Sequence, residues 1–399
     1  MPATNREFIL ILLAIINFTH IVDSMLIMPL GDIFISIFNI DASQYSLLVS
    51  AYAIAAFVSS LAGIFILDKV DRRTALMVLY FGFSVATLCS ALADSFMTLI
   101  IIRLATGFFG GMIGALLLSV ISDLFMFKER GRAMGVLFAA FSVASALGIP
   151  IGIYLAALST WQLPFIIIGT LGLLITLLIW FVFPSMNTHI KPNTGRRIDF
   201  APLKSIFSDR NQMKALSAAF VLILAHFMII PFISPYMIKN VGFTQEQISY
   251  QFLLGGIATV FSSPFIGRLT DRFGVMKIFG LMLLLSFIPT LIITQLGMEP
   301  VGVALIYTTL FFIFGSGRMI APNTLITAAA PPEVRGSFMS LKSATQQLAI
   351  GISAWLSGSI VIIGSDGLYE NYQYVGYLSI AFGLLTIWLV SRIRVAHGN

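Results

Sequence analysis

Long apolar runs alternate with short polar connections along the chain, and within the runs the apolar positions are continuous rather than every second residue, which speaks for helices and against a membrane β-barrel. Twelve such segments stand out, near 8–30, 44–67, 74–94, 96–122, 133–158, 163–183, 213–238, 247–270, 276–296, 301–328, 338–363 and 373–391. A helix needs about 20 apolar residues to cross the hydrocarbon core, and each segment comes close to or exceeds that. Only one connection is long, Pro184–Gln212, a polar stretch with Lys191, Arg196, Arg197, Lys204 and Arg210. The pattern predicts an all-α membrane protein of twelve transmembrane helices in two six-helix pseudo-symmetric bundles. Residues 1–183 form the first, 184–212 a cytoplasmic linker and 213–399 the second.

Composition and charge sharpen this picture. Of 399 residues only 10% are charged, against about 25% in soluble domains, too few to cover a water-exposed surface. With the N-terminus placed inside, twenty of the 23 Lys and Arg fall on the inner side, while Lys239 lies outside and Arg103 and Arg318 lie within segments. This asymmetry predicts both termini in the cytoplasm. The net charge of +6 therefore reflects topology, and no nucleic-acid partner is expected. The first apolar run is too long for a signal-peptide core, so no cleavable leader is expected. The lone Cys89 excludes a disulfide within the chain. No glycine-rich phosphate loop with its lysine, no Cys/His cluster at metal spacing and no Ser-His-Asp set can be drawn from the four histidines, so neither an enzyme nor a cofactor is expected.

Ionisable residues inside the segments are the candidate chemistry. The first segment, FILILLAIINFTHIVDSMLIMPL, carries His20 and Asp23, which share one helical face. A carboxylate at membrane depth costs about 2.5–3.5 kcal/mol on insertion scales, so this face must turn inward. Arg103 enters the fourth segment at a similar depth, about 10 Å from its outer end. An Asp23–Arg103 pair is the expected contact: either it only holds helices together, or Asp23 takes up a proton, which would require that pair to loosen. Arg318 has no obvious carboxylate: either backbone carbonyls and water satisfy it, or an anionic part of a substrate does. His226 and His20 are mid-span imidazoles, each readable as a hydrogen-bonded buried ring or as a proton site. Asn17, Tyr52, Gln346 and Gln347 are candidate polar contacts of a substrate cavity, in surroundings rich in Met and Phe.

The two halves repeat each other. LDKVDRR (67–73) returns as TDRFGVMK (270–277), and KERGRAMG (128–135) returns as PEVRGSFMS (332–340), at offsets of 203 and 205 residues. Inverted or parallel repeats of this kind place a transporter's site between them near the midplane. Here the sequence resembles the major facilitator superfamily over essentially its whole length. Gly267-Arg268-Leu269-Thr270-Asp271-Arg272-Phe273-Gly274 matches the family's loop signature G-x-L-x-D-R-x-G; the first copy keeps Asp68, Lys69, Arg72 and Arg73 but has Ile64 and Asp71 where the glycines stand. The resemblance implies a conformational latch made by Asp68 and Arg72 with Asp123, and by Asp271 and Arg272 in the second copy. Arg103-Leu-Ala-Thr-Gly107-Phe-Phe-Gly110 looks like the R-x-x-x-G-x-x-G motif of proton-coupled members, and Gly107, Gly111 and Gly114 are expected to let a neighbouring helix approach. Gly148, Pro150 and Gly152 resemble the L-G-x-P-x-G variant of arabinose-efflux-like and drug-efflux exporters. The resemblance implies a proton-coupled antiporter of a bacterial-type inner membrane, acting as a monomer on protons and a small amphipathic molecule by alternating access. A sugar or organic-anion transporter, or a sensor of the same fold that transports nothing, is the alternative.

Overall fold

In the computed structural model, which describes residues 3–187, 201–331 and 334–396, the chain is built from long helices. Lys191, Arg196 and Arg197 of the expected linker, together with His189 and His397, lie outside the described residues. Among the described residues twelve long helices follow in order: α1 (Arg6–Leu26), α2 (Ala42–Ile66), α3 (Arg72–Ser90), α4 (Phe96–Leu124), α5 (Glu129–Leu158), α6 (Gln162–Val182), α7 (Arg210–Lys239), α8 (Gln245–Phe273), α9 (Val275–Ile293), α10 (Val301–Ala328), α11 (Arg335–Ile360) and α12 (Tyr372–Val390). Eleven are long and apolar enough to cross a membrane. The other, α11, has the length but carries Lys342, Gln346, Gln347 and a row of serines. Lys342, read in the sequence among the loop charges, in fact lies inside α11 and is buried.

Short polar residues set where these helices begin. Asp71, Ser95 and Asp209 cap α3, α4 and α7 by accepting from free backbone N–H groups of the first turn. Thr244 and Gln247 cap α8 reciprocally. Elsewhere the apolar surface is turned outward: Phe181 and Phe261 are each about three-quarters exposed (74% and 75%), as side chains bathed by lipid would be.

By contacts the chain forms two compact units, Met1–Leu26 with Ala51–Asp199, and Ile27–Ser50 with Phe200–Asn399. In the first, α3 packs on α4 and α6, and α1 on α5. In the second the same pairings recur: α9 packs on α10 and α12, and α7 on α11. The repeat in the sequence is therefore a repeat of packing. The core of the first unit brings Leu13 and Ile16 of α1 against Leu76, Tyr80 and Phe83 of α3 and Leu116 and Val120 of α4.

Two helices are interrupted where their ladders fail. In α5 a π-helical turn, Ala144–Gly148, precedes Pro150. In α7 the helix breaks after Phe227 and resumes at Ile230 beside Pro231. The carbonyls freed there are taken up by hydroxyls: Ser357 donates to Met228 at 2.6 Å, Tyr372 to Ile229 at 2.7 Å and Tyr45 to Pro231 at 2.9 Å. This is how a membrane helix tolerates a break without leaving polar groups unpaired.

The connection Ile27–Ser50 carries a short helix, Gly31–Phe38, which lies against the second segment of α7. Asp32 pairs with Lys239 at 3.4 Å. Burial raises the Asp32 carboxyl above its ordinary range, and Lys239 pulls it partway back. A two-stranded hairpin, Ile362–Ile363 with Tyr369–Glu370, is tied to the end of α7 by Asn240, whose side chain exchanges two 2.9 Å hydrogen bonds with the Tyr369 backbone.

Candidate proton and substrate sites

The first unit contains a buried ion pair. Arg103 Nη1 donates to Asp23 Oδ2 at 3.2 Å, and both side chains are 0% exposed. Neither group is saturated: Asp23 Oδ1, Arg103 Nε and Arg103 Nη2 have no hydrogen-bond partner among the described residues. Thr87 of α3 stands beside the carboxylate without closing a hydrogen bond of good geometry. The Tyr52 ring lies 4.6 Å from the guanidinium carbon, a cation–π contact, and its hydroxyl pairs with His20 Nε2 at 3.0 Å. The four residues form a chain, His20–Tyr52–Arg103–Asp23. His20 shares a face with Asp23 but reaches it only through Tyr52 and Arg103.

Glycines bring the helices close enough for this. A Cβ on Gly107 would sit 2.2 Å from the Tyr52 carbonyl oxygen, and one on Gly111 2.4 Å from that of Ala56. The residues pair at a matched spacing of four along α4 and α2, and Ser60 adds a hydrogen bond to the Gly111 carbonyl at 2.8 Å. Gly114, expected to share this contact, does not: no described residue lies within 4 Å of its Cβ position. Gly110 takes its place, with the Tyr52 hydroxyl 2.8 Å and His20 Nε2 3.0 Å from its Cβ position. The crossing extends from Gly107 to Gly111, short of Gly114 by nearly a turn. On the other side of α1, Gly148 and Gly152 of α5 fit under Val22 and Leu26, so the glycine–proline motif presses directly on the helix carrying Asp23.

The second unit holds a different cluster. Arg318, 1% exposed, donates to Ser286 Oγ at 3.3 Å and pairs with His226 Nδ1 at 3.1 Å. The His226 ring stacks on Phe311 with centroids 5.6 Å apart and planes 9° from parallel. Of the other cavity candidates, Asn17 donates to the Leu137 carbonyl at 3.0 Å and so joins α1 to α5. Gln346 and Gln347 are half-buried and make no hydrogen bond among the described residues.

At the end of α3, Arg72 meets Asp123 at 3.1 Å and the Leu67 carbonyl at 2.7 Å. Asp68 lies in the adjoining 3₁₀ turn, and its side chain lies outside the described residues. Asp71, the departure from the family pattern, caps α3 and accepts from Ser185 and the Met186 N–H beyond α6. Burial raises its carboxyl, but these hydrogen bonds outweigh burial and hold it below its ordinary value. In the second copy, Gly274 adopts φ +90°, where a glycine is favoured; Asp71 has φ −54° and needs none. Asp271 and Arg272 are exposed and make no ion pair among the described residues, the Arg272 guanidinium lying over Phe273.

Thr19, Tyr80, Thr87 and Ser286 also belong to these clusters, although the sequence does not single them out. Thr19 and Tyr80 join α1 to α3 at 2.7 Å. A signal was present: Tyr80, Ser84 and Thr87 recur at helical spacing and mark one polar face of α3. No group of three or more metal-binding side chains occurs among the described residues.

Comparison with known proteins agrees with this architecture. The family model for the Major Facilitator Superfamily matches residues 13–225 and 215–398. A protein of Bacillus subtilis (strain 168) named "Uncharacterized MFS-type transporter YceJ" is 24% identical, covering 89% of this chain and 87% of the relative. A protein of Helicobacter pylori (strain P12) named "Probable sugar efflux transporter" is 26% identical, covering 90% and 88%. Among solved structures, an inward-facing bacterial homolog of the human lysosomal transporter Spinster superposes with a TM-score of 0.78 at 15% identity, covering 98% of this chain and 97% of the other. A structure of the nucleoside transporter NupG gives 0.73 at 13% identity, covering 96% and 98%.

Proposed function

The chain belongs to the major facilitator superfamily, and on that premise we propose that it is a proton-coupled antiporter exporting a small amphipathic molecule by alternating access. As a multi-pass member of a transporter family it is not an enzyme. The observation that carries the coupling reading is the Asp23–Arg103 pair, wholly buried yet with one carboxylate oxygen and two guanidinium nitrogens unpartnered among the described residues. Arginine keeps its charge, so protonation of Asp23 is the accessible change of state. It leaves Arg103 with the Tyr52 face alone, an arrangement that favours movement of α1 against α4. His20 is hydrogen-bonded to the Tyr52 hydroxyl, and the Tyr52 ring faces the Arg103 guanidinium, so both residues flank the pair. The contact of Arg72 with Asp123 serves as a latch for one conformation, with Asp68, Asp271 and Arg272 as further members. Expulsion rather than uptake is supported by relatives named for sugar efflux and by the glycine–proline motif of α5 packed on α1. Their bacterial sources support placement in a bacterial inner membrane, and the charge asymmetry supports cytoplasmic termini. The ion pair is complete within one chain, which suits a monomer. The same relatives favour a second reading, in which the exported molecule is a sugar.

Everted vesicles with an acidic interior and a pH-sensitive dye test this. Addition of cationic, neutral, sugar and anionic compounds is expected to release protons for one class, and Asp23→Asn is expected to abolish the release. Release unchanged in Asp23→Asn would remove Asp23 from the mechanism. Movement of a compound without protons would overturn antiport, and movement of neither would favour a sensor.

A further inference from the structure

The second unit buries a cation that the proton pathway leaves unused. Arg318 carries five N–H donors, and two hydrogen bonds satisfy it among the described residues, to Ser286 and His226. Its Nε is buried without an acceptor, and no ion pair reaches it among the described residues. Because the guanidinium donates, His226 Nδ1 must accept. That fixes the ring as the neutral tautomer with its proton on Nε2, a second donor on a side chain that is only half-buried. The ring is seated with care. It stacks on Phe311, and Gly315, one turn before Arg318, leaves it room, since a Cβ there would lie 2.9 Å from His226 Cε1. A guanidinium sunk in the bilayer with only neutral acceptors is costly and cannot shed its charge. Lys342 of α11 is a second buried cation without an ion pair among the described residues.

We propose that Arg318 and His226 form an anion-binding subsite, which receives a carboxylate or phosphate group of the transported molecule. The free guanidinium N–H groups suit a planar two-oxygen acceptor, and His226, accepting through Nδ1, holds the guanidinium in place for it. This deepens the transport reading and rests on it, since it makes the exported molecule an organic anion such as an acidic or phosphorylated sugar.

The test is binding rather than transport. Purified protein in phosphatidylcholine nanodiscs, which carry no anionic lipid, is heated with glucuronate, glucose 6-phosphate, citrate or inorganic phosphate. Glucose and chloride at equal ionic strength serve as controls. A saturable rise in melting temperature with at least one anion, and none with glucose or chloride, is expected; the glucuronate and glucose 6-phosphate arms separate carboxylate from phosphate. In Arg318→Gln the apparent affinity should fall about tenfold or more, the loss that follows removal of a charge-assisted hydrogen bond. Ser286→Asp, which supplies an internal carboxylate, should raise the melting temperature without ligand and erase the anion effect. Asp23→Asn should keep anion binding while losing proton release, so failure of the coupling reading and failure of this one are distinguishable. If no anion protects the native protein beyond chloride, or protection survives in Arg318→Gln and Ser286→Asp, the subsite does not exist.

Discussion

Single residues decide how closely the helices of the first unit approach. Gly107→Ala forces a methyl group to within 2.2 Å of a backbone oxygen, and backbone cannot swing aside as a flexible side chain would. It should destabilise the protein by about 1–3 kcal/mol or more, the range for overpacking, whereas Gly114→Ala should leave the unfolding temperature unchanged. Thermal unfolding of the two variants in detergent checks this, and equal effects would show that α2 and α4 do not cross at Gly107. The small size of these glycines is visible in the sequence. Whether each faces a helix or lipid depends on the crossing angle, which brings Gly107 and Gly111 against α2 and leaves Gly114 open. The charged residues were easier to find. Asp23 and Arg103 stand out because an ionisable group is conspicuous in an apolar run and must find a counter-charge. Their contact at 3.2 Å follows from similar depth on neighbouring helices. Tyr52 bridges Arg103 to His20, yet a tyrosine in a membrane helix can take many roles and its sequence position does not select one.

Helix ends explain the departures from the family pattern. Asp71 stands where the second loop has Gly274, and the two positions solve different problems. Gly274 supplies a positive φ between α8 and α9, while Asp71 supplies a cap for α3 and an anchor for the chain beyond α6. Asp71→Ala should cost about 1 kcal/mol at neutral pH. Hydrogen bonds hold the Asp71 carboxyl below its ordinary value of 3.8, so its stabilisation is complete above that pH. It is lost as pH falls through the lower folded value, and the gap between native and variant should close under acid. Asp32 has the opposite sign. Burial raises its carboxyl, so the fold gains relative to the unfolded chain as pH falls through the raised value, and Asp32→Asn should remove that gain. Unfolding temperatures of the native protein and both variants between neutral and acid pH separate the two. A gap for Asp71→Ala that widens under acid would contradict the assignment.

Across the chain as a whole, the repeat carried the fold. Eleven helices are long and apolar enough to cross a membrane; α11 is the weakest, because Lys342, Gln346 and its serines dilute an apolar run that the sequence still marks at 338–363. The split at residues 184–212 is a statement about the sequence, whereas grouping by contacts follows packing and gathers Ile27–Ser50 with the second half. Nothing in the hydropathy of that connection foretells the hydroxyl of Tyr45 reaching the Pro231 carbonyl. Orientation rests on a different property. The helices alone are equally compatible with either sidedness, and only the crowding of Lys and Arg on alternate connections distinguishes the two. Labelling in intact cells tests that sidedness. Cys89, the sole cysteine, is first replaced by serine, and single cysteines are then introduced at Glu299, Lys277 and Asp366, all exposed connections or helix ends. A maleimide that cannot cross the membrane should label positions 299 and 366 directly and position 277 only after permeabilisation. The reverse pattern would invert the protein, place most of its basic residues outside, and remove the charge asymmetry as the cause of its topology.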